Sequence, residues 1–217
     1  MRFTYLGYIV VGALALLPAT SMAQSVGVGI GTQGFNAEVG FDIGEMFAVR
    51  ASGNYFSMSH DVDGDDVTYD GDLRLQSVGL LGDIFPFQNG FRFTGGAYLN
   101  RNKVDITATP TSNVEIGGTI YTPAQLGTLD GRIKFKDIAP YAGLGYTSGR
   151  GEPGFSFVAD AGVMFQGGGN VALTASGTAN AIPGFATNLE QERQDIQDDV
   201  DDFKYYPVVR VGIAYRF

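Results

Sequence analysis

The residues best suited to chemistry fall in three places. His60 stands among Ser57, Ser59 and Asp61, the ingredients of a base-activated hydroxyl nucleophile. Asp61, Asp63, Asp65, Asp66, Asp70 and Asp72 crowd residues 59–72; oxygen ligands at alternate positions, closed by a carboxylate at the twelfth, are the pattern of a calcium loop. Residues 187–203 carry seven acids against Arg193 alone. There Glu192, Asp195, Asp199 and Asp202 share one helical face, a surface able to hold divalent cations, while Leu189, Ile196, Val200 and Phe203 form a thin apolar stripe.

Each has a plainer reading. Gly64 occupies the fourth position of the acidic run, whereas a calcium loop needs glycine at the sixth, where Asp66 stands. A solvated acidic loop fits better. Serine and histidine are common in surface loops, and the acidic helix is expected to lie on a rim. Gly27, Gly29, Gly31, Gly143 and Gly145 sit in alternating stretches and precede no helix, so they cradle no phosphate; they leave space for neighbouring side chains. The expectation is a chain without catalytic residues or cofactor. Its only metal candidates are the weak ones, Asp61, Asp63, Asp65, Asp195 and Asp199. The absence of cysteine excludes disulfides and thiolate metal sites.

The elements that would hold these residues begin with residues 1–23. Arg2, the apolar run Leu6 to Leu17, Pro18 and Ser21-Met22-Ala23 read as a secretory signal cleaved after Ala23. The run has 12 residues, short of the roughly 20 a spanning helix needs. Residues 24–217 are expected to form one domain. With Arg2 gone, the 14 basic residues become 13 against 23 acidic, a net of −10, so nucleic acid is not an expected partner.

The remainder divides into alternating segments near 25–31, 35–43, 47–58, 70–85, 91–106, 133–147, 154–175 and 204–217. Short separators at 44–46, 86–90 and 148–153 alternate with long ones at 59–69, 107–132 and 176–203, and a first turn falls at Thr32 to Gly34. This is the signature of an all-β, eight-stranded antiparallel barrel with one short helix in its last long loop. In the final segment Val209, Val211, Ile213, Tyr215 and Phe217 alternate with Arg210, Gly212, Ala214 and Arg216. Phe155, Phe157, Ala159, Ala161, Val163 and Phe165 do the same against Ser156, Asp160, Gly162 and Gln166. In the fourth segment Leu73 and Leu75 are out of phase with Val78, Leu80 and Ile84, which a bulge would repair.

Period two alone also describes a soluble sandwich, so polarity decides. The polar face here is glycine-rich and carries both signs, which suits a lumen with the apolar face turned to lipid. The inward charges would be Glu38, Asp42, Asp83 and Asp160 with Arg50, Arg92, Arg210 and Arg216. Unpaired charges in a narrow lumen are costly, so a packed interior with a salt-bridge network is expected, Glu38 level with Arg50 and Asp160 with Arg210.

The ending from Val209 to Phe217 resembles the recognition signal of outer-membrane barrels, in Gly212, Ile213, Tyr215 and the terminal Phe217. That resemblance implies handling by the barrel-assembly machinery. The stretch 24–217 looks like the small outer-membrane barrels typified by the OmpA membrane domain, OmpX and OmpW. It implies a Gram-negative outer-membrane protein with periplasmic termini and extracellular long loops, in contact with lipid, lipopolysaccharide and divalent cations. With nothing after Phe217, no peptidoglycan-binding domain is expected. A structural or surface-interaction role with a plugged lumen is the first reading. A narrow channel for small or hydrophobic solutes, as in OmpW, is the second, its mouth lined from 120–129 and 179–186. A lipid-modifying enzyme is the remote third, because the residues around His60 lack the His-x-Ser order of those enzymes.

Overall fold

The computed structural model describes residues 24–63 and 67–217; the expected signal peptide at 1–23 lies outside them. In chain order the strands are β1 (Gln24–Gly31), β2 (Gly34–Ile43), β3 (Phe47–Asp63), β4 (Val67–Ile84), β5 (Phe91–Asn100), β6 (Lys103–Pro110), β7 (Val114–Ile116), β8 (Thr119–Tyr121), β9 (Leu129–Lys134), β10 (Ile138–Thr147), β11 (Gly154–Phe165), β12 (Asn170–Ala175) and β13 (Tyr205–Arg216). Helices α1 (Pro123–Leu126) and α2 (Phe185–Asp201) lie between them.

Eight strands close into an antiparallel barrel: β5, β4, β3, β2, β1, β13, β11 and β10, with β10 returning to β5. The seam between first and last strands runs from Ser25 opposite Arg216 to Gly31 opposite Arg210. Closure removes the free edges that an open sheet would present. The first turn, at Thr32 and Gln33, is followed by Gly34 at φ +90°, where a side chain would also strike the Tyr55 backbone and the Phe56 Cβ. One end carries the turns at 44–46, 86–90 and 148–153 together with Gln24 and Phe217; the other carries the first turn and the long connections.

Alternation along the wall separates two environments. Val28, Leu80, Phe155 and Ile213 point outward and are 59, 65, 81 and 55 % exposed, while Asp83 and Arg92 between them are 2 and 1 % exposed. Leaving such side chains in water forfeits about 1.5–3 kcal/mol for each that hydrocarbon would cover. The outer face is therefore built for an apolar surrounding. Aromatic rings cluster near its ends, as in Phe155 against Tyr215 and Tyr215 against Phe217 at 5.0 and 5.2 Å between centroids.

The structure corrects the strand boundaries in one consistent way. Segments 91–106, 133–147 and 154–175 are each broken where they leave the barrel wall. The expected loop 59–69 is largely strand, because β3 and β4 pair in one register from Phe47–Ile84 to Asp63–Thr68. β6 keeps the register of β5 against β4. β9 pairs with β6, and β12 with β9. The upper halves of β3 and β4 with β6, β9 and β12 thus form a five-stranded platform above one side of the barrel.

No bulge occurs in β4. Leu73 and Leu75 share the face of Ser77, Leu81 and Asp83, and the polarity of the two faces reverses above Gln76. On the platform the inner face is apolar (Leu73, Val104, Ile133 and Val171 in one row) while Asp105 pairs outside with Lys103 and Arg132. A sheet that has left lipid must turn its apolar side inward, as any soluble sheet does.

Helix α2 packs beside β12, and its end departs from the expected 187–203. The chain turns into a 3₁₀ segment at Asp202–Lys204 with Phe203 off helical geometry. Phe203 therefore leaves the apolar stripe and is exposed. Gln197 accepts from the backbone N–H of Val171 at 3.1 Å and donates to the Gly169 carbonyl, occupying the free edge of β12.

Candidate functional site

The barrel interior gathers the charged residues in two groups. In the central one, Arg50 bonds Glu38 at 3.0 Å and grips both oxygens of Asp83, reaching Asp160 at 3.3 Å. Arg92 bonds Asp160 at 2.6 Å and lies 3.6 Å from Asp83. Arg210 bonds Glu38 and Asp160, and donates to Asn36 at 2.6 Å. The registers explain the meeting: Asp160 is directly opposite Arg210, and Glu38 lies two residues diagonally from Arg50. Thr94 donates to Asp83 at 2.6 Å, and Thr147 accepts from Arg92. Gly145 leaves the space the Arg92 guanidinium occupies; a Cβ there would lie 2.7 Å from Nε.

The second group sits toward the short-turn end. Arg216 bonds Asp42, and Arg150 lies 3.8 Å from the same carboxylate. The Arg150 guanidinium stacks 3.4 Å above the ring of Phe85, which is 4 % exposed, so a cation lies over a buried aromatic face. Alternation could not single out Arg150, because it lies in the turn between β10 and β11, where period two has no meaning.

Toward the opposite end the interior becomes apolar. Leu81, Tyr98, Ala139, Tyr141, Met164 and Val208 form one buried cluster, with the two tyrosine rings edge-on at 5.5 Å. Gly79 makes this layer possible, since a Cβ there would stand 2.5 Å from the Tyr98 ring. Next come the amides: Asn36 donates to Asn54 at 2.8 Å, Asn54 to Ser77 at 3.1 Å, and Gln33 to Ser77 at 3.3 Å. Asn36 and Ser77 are in phase with the charged set, so alternation held the information needed to find them.

Other candidates are not assembled. On β3, Ser57, Ser59 and Asp61 alternate with His60 and so face the other side of the strand; Ser59 bonds Asp72 across the hairpin. Asp61 pairs in register with Asp70, so the described part of the acidic run is ladder, and Asp65 and Asp66 lie outside the described residues. Asp195 and Asp199 are exposed on α2. Among the described residues no group of three or more acidic or histidine side chains could hold a metal; Asp65 and the side chain of Asp63 lie outside them. The apolar residues of 120–129 and 179–186 mostly turn away from a mouth: Tyr121, Leu126, Ala179 and Phe185 form a separate small core, with Ile120 left exposed. The proposed assembly residues Gly212, Ile213, Tyr215 and Phe217 run down the outer part of β13 and its end, except Gly212, which faces the lumen.

A closed eight-stranded antiparallel barrel with apolar exterior and charge-paired interior is the fold of the small outer-membrane barrels. The structure is similar to that of CarO2 from Acinetobacter baumannii, at 21% identity and a TM-score of 0.60, covering 91% of this chain and 100% of that one. It is similar as well to CarO from the same organism, at 21% identity and 0.57, over 89% and 97%. A major outer membrane protein from Thermus thermophilus aligns more loosely, at 18% identity and 0.45 over 91% and 100%. At these identities the likeness is one of fold. No protein-family model matches the chain, and no curated protein matches it.

Proposed function

We propose that this chain is a non-conducting barrel of a Gram-negative outer membrane whose working surface is the platform above it. The observation that carries the reading is the double seal. The central arginines and carboxylates fill one level, and Leu81, Tyr98, Tyr141 and Met164 pack the interior beyond it, beside side chains that are themselves hydrogen-bonded from Arg210 through Asn36 and Asn54 to Ser77. A solute would have to break buried ion pairs and then displace closely packed rings and hydrogen-bonded amides, and each step is expensive. The termini and short turns belong on the periplasmic side and the platform outside the cell, in contact with lipopolysaccharide. The terminal Phe217 with Tyr215, Ile213 and Gly212 serves the barrel-assembly machinery, and residues 1–23 serve export. His60 has no catalytic role in this reading.

Planar-bilayer recording of the refolded chain tests the seal. Only brief, rare openings are expected; a steady large conductance would overturn the reading and favour the narrow channel. Lipid A profiles should be the same for the wild type and His60→Ala, and a change lost in the variant would restore the enzyme reading.

A further inference from the structure

The interior is not neutral once Arg150 is counted. Among the described residues it holds five arginines (Arg50, Arg92, Arg150, Arg210 and Arg216) against four carboxylates (Glu38, Asp42, Asp83 and Asp160). The surplus lies at the short-turn end, where Arg150 and Arg216 share the one Asp42 carboxylate and Arg150 also donates to the Glu45 carbonyl at 2.5 Å. Beside them is a cavity of about 40 Å³, whose lining includes four arginines, Arg50, Arg92, Arg150 and Arg216, against three carboxylates, Glu38, Asp42 and Asp83. It has space for about three water-sized groups, at roughly 10–15 Å³ each.

Two donors on its lining are unsatisfied. The Nε atoms of Arg92 and Arg150 are buried and have no hydrogen-bond partner, that of Arg92 lying 3.6 Å from Asp83, and their side chains are only 2 and 9 % exposed. Buried charge of one sign without a counter-charge is strongly unfavourable, and an unmet donor adds to the cost. We infer that this cavity binds a small monovalent inorganic anion of chloride size, which neutralises the Arg150 surplus between the two ion-pair groups. The anion is a counter-ion that fastens Arg150 over Phe85, and so closes the barrel at its short-turn end.

Crystals of the refolded protein grown in sodium bromide test the site by anomalous diffraction. A bromide peak inside the cavity is expected for the wild type. Ser156→Asp, which places a carboxylate on the cavity wall, and Arg150→Gln, which removes the surplus, should both lack it. The thermal midpoint of the wild type should be several degrees higher in chloride than in gluconate of equal ionic strength, because binding to the folded state alone is stabilising. That difference should vanish in both variants. A wild-type cavity holding only water, an unchanged peak in either variant, or equal midpoints in the two salts would overturn the proposal.

Discussion

Asp160 accepts from Arg50, Arg92 and Arg210, so it is the residue whose loss leaves the most charge uncompensated. Asp160→Asn should destabilise the folded barrel by about 3–5 kcal/mol, the usual consequence of removing one partner from a buried ion pair. Reversible urea unfolding in lipid vesicles measures this. Gly79→Ala should act through space, since its Cβ would collide with Tyr98. A loss of about 1–3 kcal/mol is expected, with more frequent channel openings in a bilayer as the apolar layer is displaced. At this scale the sequence was legible wherever a residue sat on a strand: the phase of β2, β3, β4, β5, β11 and β13 already grouped the central acids and arginines. Arg150 was not, because a turn has no period. The tight nesting of Tyr98 on Gly79 was not, because it depends on two strands meeting in register.

The element with the most to explain is α2, a helix rich in acids held beside a short strand. Its contacts are specific: Gln197 fills backbone positions at the edge of β12, and Arg193 reaches the Val171 carbonyl at 3.5 Å. Gln197→Ala should cost about 1 kcal/mol and speed hydrogen exchange at Val171 while leaving the barrel strands protected. Glu190 is held down to about 2 from an ordinary 4.5, chiefly by its hydrogen bond from Arg193. A carboxylate depressed in the folded state contributes stability above its unfolded value and loses it as pH falls through the folded one. Protection of the α2 amides, taken relative to their intrinsic exchange rate at each pH, should therefore fall as pH drops from about 4.5 toward 2, and Arg193→Ala should abolish that dependence. The existence of this helix was legible from its 3.6-residue spacing. Its partner strand was not, because β12 appeared as the tail of β11 until Gly167, Gly168 and Gly169 broke the chain there. Leu73 and Leu75 looked like a register fault for the same reason, since nothing local marks the height at which a strand passes from lipid to water.

For the whole molecule, eight wall strands, their alternation and the placement of long and short connections were legible from period two and turn chemistry. The platform was not, because it arises from pairing between segments far apart in the chain. What organises all of it is the orientation of the wall: exposed Val28, Leu80, Phe93, Phe155 and Ile213 outside, ion pairs inside. That orientation is tested most directly by refolding the chain from residue 24 with and without detergent micelles and comparing unboiled with boiled gel mobility. The account predicts a folded, heat-modifiable species only where micelles are present, with aggregation in plain buffer. A monomer that is folded and stable in plain buffer would contradict it.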